Sequence, residues 1–246
     1  PITKPTQAVN LIEVVPYMSS IAALTAGQTY LTKAIIESNS INLLPKQFIV
    51  PPIMGGLGTF TTSLTPMLDT VECNTPLVQG ATQQFQIYGE NYIANTVANK
   101  LGMGLHYSTA SPTKKEMFYD SVTNETNTGT SATSVAGENL TINDGAFLES
   151  ITPVLVNAVV TASESFIGSI SVTSNDFENS MPLKVPCQPT SIALGSHVSP
   201  MMAKQPVYKN IRMGMKSSCL ISHTLTIDEA QTATGHFAVG YGYTKS

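Results

Sequence analysis

The feature that most constrains this chain is a succession of short segments rich in β-branched and aromatic residues, each bounded by glycine, proline or asparagine. In the first half these are Phe48–Val50, Gly58–Leu64, Gln83–Tyr88 and Leu101–Ser108. In the second they are Ile151–Val160, Phe166–Thr173, Val207–Met215, Cys219–Ile227 and His236–Tyr243. Within Phe166–Thr173, Ile170 and Val172 alternate with Ser169, Ser171 and Thr173, the period-two pattern of a strand with one buried face. Seventeen glycines and fifteen prolines, spread along the chain, punctuate it at short intervals. Helix signals are confined to two places. One is Ser19–Ala26, whose continuation to Ile36 is interrupted by Gly27 and the strand-favouring Thr29-Tyr30-Leu31-Thr32; the other is a single turn at Thr226–Gln231. The expected fold class is all-β with minor helix.

The two halves of the sequence look alike. Gln83–Tyr88, a polar connection and Lys100–Tyr107 close the first; Ser218–His223, a polar connection and His236–Tyr243 close the second. Each closing segment carries spaced glycines (Gly102 and Gly104; Gly240 and Gly242) and ends on a tyrosine. Upstream, Ile49-Val50-Pro51-Pro52 and Ile151-Thr152-Pro153-Val154 each precede a glycine-bearing strand. The pattern predicts two tandem β domains of a size that suits an eight-stranded jelly roll, a β-sandwich or barrel. On this reading residues 1–20 form an N-terminal arm, 21–112 the first jelly roll and 113–246 the second. Ser121–Gly137 is almost entirely small and polar and is expected to be a long exposed loop.

Charge narrows the function. Charged residues make up 11% of the 246, against roughly 25% in soluble domains. A freely diffusing monomer keeps soluble with a charged surface, whereas surfaces buried between subunits are depleted in charge. The deficit favours a protein that packs against copies of itself; the competing explanation is a secreted protein solvated by Thr, Ser and Asn. A net charge of −4 and a pI near 5.5 argue against direct nucleic-acid binding, and the adjacent pair Lys114-Lys115 reads as a solvated loop. No apolar run is long enough to span a bilayer as a helix, and Pro1-Ile2-Thr3-Lys4-Pro5 does not begin a signal peptide. Cys73, Cys187 and Cys219 lie far apart and read as buried thiols of a reducing compartment. The sequons at Asn124 and Asn139 would accept sugar only in a secreted chain.

Little in the sequence carries chemistry. It has no G-x-S-x-G elbow, P-loop, H-E-x-x-H or EF-hand loop. Gly55-Gly56-Leu57-Gly58 follows Pro51-Pro52 and leads into a strand, so it reads as a turn and not a phosphate cradle. Of the four histidines, His106, His197, His223 and His236, the pair His223 and His236 would suit a metal if they faced each other on adjacent strands. His106 and His236 sit beside aromatic residues, where half-buried structural histidine is the ordinary reading. Ser218, His223 and Asp228 could be drawn as a triad, but spacing alone does not make one. The acids Glu13, Glu37, Asp69, Glu72, Glu90, Glu116, Asp120 and Glu149 flank strands or turns as solvated surface. Polar turns at Glu90-Asn91-Tyr92 and Asn175–Asn179 read as loop anchors, and the absence of Trp weakens a sugar-binding reading. Ten methionines, with Met201-Met202 and Met213-Gly214-Met215 close together, suit adaptable packing surfaces. The expectation is a non-enzyme with no catalytic, cofactor-binding or metal-binding residues.

Two tandem β halves closing alike, a polar mid-chain loop and scarce charge together resemble the double jelly-roll major capsid proteins of tailless icosahedral viruses, many of which enclose a membrane. The resemblance covers the whole chain in architecture and composition. It implies a homotrimer whose six jelly rolls form a pseudo-hexagonal capsomer of an icosahedral virion shell. It also implies vertex proteins as partners, a membrane or genome beneath the base, and synthesis in the host cytoplasm. Pro1–Ser20, with Pro5, Pro16 and apolar Val9, Leu11, Ile12, Val14 and Val15, would then be an arm that orders on assembly, and Ser121–Gly137 an outward rim. Two other classes share the composition: a secreted or cell-surface β-sandwich of adhesin, pilus or surface-layer type, and a jelly-roll lectin or metal-dependent enzyme.

Overall fold

Alternating burial, residue by residue, builds the strands. In Cys219–Ile227, Cys219, Ile221, His223 and Leu225 are buried, while Leu220 and Thr226 are exposed. In Gly168–Thr173, Ile170 and Val172 are fully buried. Enclosing a residue such as Ile221 or Leu225 contributes about 1.5–3 kcal/mol, so the pattern itself sets which face turns inward.

The structure is a computed structural model that describes residues 2–20, 29–38, 46–54, 70–78, 84–91, 99–128, 134–136, 139–142, 145–161, 168–177, 182–187, 189–194, 208–215, 219–227 and 234–245. The fold is all-β, with several antiparallel sheets and no helix among the described residues. The first half supplies β1 (Ile2–Thr3), β2 (Asn10–Ser20), β3 (Thr29–Glu37), β4 (Lys46–Met54), β5 (Val71–Pro76), β6 (Gln84–Asn91) and β7 (Asn99–Ser108). The second supplies β8 (Met117–Thr128), β9 (Ser134–Ala136), β10 (Leu140–Ile142), β11 (Ala146–Thr161), β12 (Gly168–Thr173), β13 (Leu183–Cys187), β14 (Pro189–Leu194), β15 (Tyr208–Met215), β16 (Cys219–Ile227) and β17 (Thr234–Lys245).

Each half packs two sheets around its own core. The first has sheets in the order β5-β2-β7 and β1-β6-β3-β4. Leu11, Val14, Ala34, Ile36, Cys73 and Phe85 are among the residues that fill the space between them. The second has β8-β17-β11-β14, with β15 also on β11, and β10-β16-β12-β13, with β9 also on β16. Its core includes Leu148, Ile151, Ile170, Val172, Ile221 and Tyr241. In both halves the last strand returns to pair antiparallel with the opening long strand. Tyr107 of β7 stands opposite Leu11 of β2, and Tyr243 of β17 opposite Phe118 of β8.

Several expectations are corrected. Residues 2–20, the described part of the segment expected to form an arm, pack into the first half in this structure. Lys4 is 1% exposed and donates to the carbonyls of Pro5 and Ala8, while β2 is the central strand of its sheet. Leu11 and Val14, expected on an arm that orders on assembly, are core residues here. The long loop expected at Ser121–Gly137 is strand through residue 128, paired with β17, and again at Ser134–Ala136; residues 129–133 and 137 lie outside the described residues. Threonine and valine there read as polar or small, yet β-branching suits them to a pleated sheet. The candidate helix over Ser19–Ile36 gives strand at Ser19–Ser20 and from Thr29 onward, with 21–28 outside the described residues. The strand expected at Gly58–Leu64 also lies outside them.

Candidate functional site

Among the described residues, a network of buried and partly buried polar groups lies where the two halves meet. In strand β17, Ala238, Val239, Tyr241, Gly242 and Tyr243 are buried, so both faces of this stretch are covered; β4 packs against β8 and β17, and β5 against β8. Gly242 is required there. A Cβ on it would collide with Ser150 Oγ and fall 2.8 Å from the Tyr119 ring.

Tyr119 of β8 crosses the junction. Its ring packs against the first half's core, and its hydroxyl donates to the Glu72 carbonyl at 2.7 Å. Burial drives its acidity far down, so the hydroxyl remains a neutral donor. Lys46 of β4, 1% exposed, donates to Thr75 Oγ1 and lies 3.1 Å from Glu116 Oε1. Its Nζ is also 5.3 Å from the Phe118 ring centroid, a cation–π contact, and Phe118 stacks on Tyr243 at 5.8 Å. Removing a partner from such a buried pair is far more damaging than the pair itself is stabilising. At the rim, Glu72 takes bonds from Lys114 at 2.6 Å and Asn74 at 2.9 Å. These hold its carboxyl below the ordinary 4.5. Together they form a clasp: every group is a fixed donor or acceptor, which suits holding two units in register.

The residues weighed for chemistry from the sequence are not brought together. His223 lies in β16 and His236 in β17, and these strands belong to opposite sheets, pairing with β12 and β11 respectively. They therefore do not face each other on adjacent strands. His223 is enclosed in the second core, its ring 5.3 Å from that of Tyr241. Ser218 and Asp228, the other members of a drawn triad, lie outside the described residues, as does His197. His106 is exposed and not half-buried: its Nδ1 stands 3.0 Å from Glu13 Oε1, directly across the β2–β7 pair. Among the described residues no group of three His, Cys, Asp or Glu comes together as a metal site.

Cys73 and Cys219 are buried free thiols; burial pushes the Cys73 thiol up to about 11 and raises that of Cys219. Asn139 is exposed, whereas Asn124 lies within β8. The clasp residues were missed as a group because they are far apart in sequence. The available signal was weak: Lys114, Lys115 and Glu116 are adjacent near the mid-chain connection, in a chain with few charges.

No protein-family model and no curated protein matches the chain. Among solved structures, it is similar at low level to the VP2 subviral particle of infectious bursal disease virus, with 8% identity and a TM-score of 0.24. The structure of the Gx strain of the same virus matches at 10% identity and a TM-score of 0.25. In both matches the alignment covers 97% of this chain and 62% of the other. The chain thus spans less than two thirds of those chains.

Proposed function

We propose that the chain is a structural, non-catalytic shell subunit, a capsid protein built from two tandem jelly rolls, and that it acts by packing against copies of itself in a virion. One observation carries the reading: the nested strand pairing of the second half. Counting the β segments of its described residues in order, with β9 and β10 as the second and β15 as the sixth, while β14, which pairs parallel with β11, stands outside the count, the first pairs with the eighth (β8·β17) and the second with the seventh (β10·β16). The third pairs with the sixth (β11·β15) and the fourth with the fifth (β12·β13), all antiparallel. Two further pairings, β11·β17 and β12·β16, then gather the segments into two sheets. Such nesting supports the jelly-roll reading, a fold used by viral capsids and by lectins and cupins. Fold alone does not select among these; the 11% charge, which leaves much surface to be covered by neighbours, favours the assembling member of the set.

In the first half the two outer pairings recur, β2·β7 and β3·β6, which supports a second roll in tandem. Three copies would then supply six rolls to a pseudo-hexagonal capsomer, with a vertex protein and an inner membrane as further partners of such a shell. Mass measurement in solution with electron microscopy of the product tests the reading. Trimers or closed shells are expected; a chain that stays monomeric at all concentrations would sink it.

A further inference from the structure

Beside the clasp, strands of both halves wall an open cleft of ≈ 550 Å³. Its lining departs from the rest of the molecule in charge. Five of its ten lining residues are charged, Glu72, Lys114, Lys115, Glu149 and Arg212, in a chain where 11% are. Arg212 is the sole arginine of the sequence.

The backbone singles out the same place independently. Among the described residues, the non-glycine residues with positive φ are Asn74 (49°), Asn210 (62°) and Arg212 (51°), and all three line this cleft. The left-handed region is unfavourable for L-residues, and such strain gathers where a side chain must be aimed. Bulges in the pairing explain how it is held. Along β11, Leu148 faces Met213 and Ser150 faces Lys209, so Asn210, Ile211 and Arg212 stand opposite Glu149 alone. Along β17, Leu148 faces Tyr243 and Ser150 faces Gly242, so Glu149 bulges there too. On the other wall, Leu11 faces Thr75 and Glu13 faces Glu72, leaving Cys73 and Asn74 opposite Ile12. Bulges beside binding sites re-aim side chains, and here both halves bulge at one cleft.

The charges are unequally engaged. Lys114 is paired with Glu72, and Glu149 accepts from Thr244 Oγ1 at 3.2 Å. Among the described residues neither Lys115 nor Arg212 forms an ion pair; Lys115 Nζ instead lies 5.8 Å from the ring centroid of Phe147, which is 37% exposed. The cleft therefore offers a forked guanidinium, a second cation and an apolar wall. That combination suits a carboxylate beside an apolar stem, since a guanidinium matches a carboxylate two bonds at a time.

We infer that this cleft receives a carboxylate-bearing segment of a second copy of the chain, with Arg212 and Lys115 as the recognising cations. The inference rests on the self-association reading and deepens it. Charge complementarity selects the occupant: the cleft carries one net positive charge in a chain of net charge −4, so the remainder of a second copy is acidic.

The test mixes unlabelled and ¹⁵N-labelled full-length chains, couples amines to carboxylates with a water-soluble carbodiimide, and maps the amide links by mass spectrometry. Lys115 is expected to link to an acid of the differently labelled copy. In parallel, sedimentation of Arg212→Glu and Lys115→Glu, with folding checked by circular dichroism, is expected to show association weakened at least tenfold. Should Arg212→Glu fail to fold, Arg212→Lys and the crosslink map carry the test. Mixed-label links absent at Lys115, with the variants assembling like the unaltered chain, would overturn the cleft assignment and leave self-association standing. Protection of Lys115 by inorganic phosphate, without mixed-label links, would mark a site for a free anion and equally overturn it. An unaltered chain that never associates would remove the self-association reading itself.

Discussion

The two halves begin and end alike and differ in the middle. Each returns its closing strand to its opening strand, and each pairs the next strands inward, β3 with β6 and β10 with β16. In the second half the nesting continues through two more pairs. In the first, β4 instead pairs with β3 and β5 with β2. The difference shows which part of the pattern closure requires. Pairing the ends encloses a core, whereas the inner strands are free to vary and here turn outward to meet the other half. Strands β4 and β5, which depart from the nested order, are the ones that supply Lys46, Glu72 and Thr75 to the clasp.

The comparison can be broken at its cores first. Leu148 and Leu11 are 0% and 1% exposed, one in each core. Replacing either by alanine is expected to cost about 3 kcal/mol and, because the clasp couples the halves, to shift one shared unfolding transition in calorimetry. Two transitions, only one of which moves, would show the halves to be independent. Lys46→Ala attacks the coupling directly, by leaving Thr75 and Glu116 without their cation, and is expected to cost nearly as much, about 3 kcal/mol. Denaturant titration measures it; a loss below ~1 kcal/mol would place the clasp among ordinary surface pairs.

Smaller changes sharpen the picture. Gly242→Ala inserts a methyl group against Ser150 and Tyr119 and should destabilise by about 2 kcal/mol. Tyr119→Phe removes only the hydroxyl bond to Glu72 and should cost about 1 kcal/mol. The Glu72–Lys114 pair is the weakest element, being exposed at the rim. Because the folded carboxyl titrates below the ordinary 4.5, its contribution is present above that pH and is lost as pH falls through the folded value. The melting temperatures of the unaltered chain and Lys114→Gln should therefore differ slightly at neutral pH and converge in acid; a gap that persists in acid would assign the difference to something other than ionisation.

Strand content was legible where alternation is strong. Cys219–Ile227 is legible to the residue, and Gly168–Thr173 falls within the expected strand Phe166–Thr173, whose first two residues lie outside the described residues, since Ile170 and Val172 can be buried only by turning one face inward. The return of similar closing segments at Tyr107 and Tyr243 was also visible, and both lie in strands that close their half. What local pattern misplaced was polar or proline-bearing strand. In β2 Pro16 sits within a central strand, and in β8 the Thr and Asn residues give no alternation, so both were read as irregular although long-range pairing with β7 and β17 holds them extended.

The amino-acid sequence by itself determined that this protein is β-rich and poor in charge, because period-two burial and glycine and proline punctuation act over neighbouring residues. Only the tertiary structure decided how the strands nest, that Lys46, Thr75, Glu116 and Tyr119 meet, and that the three strained residues, the sole arginine among them, share one cleft. Those features depend on β4, β5, β8, β11 and β15 being brought together across long stretches of chain, and no local preference encodes which distant backbone a strand will find.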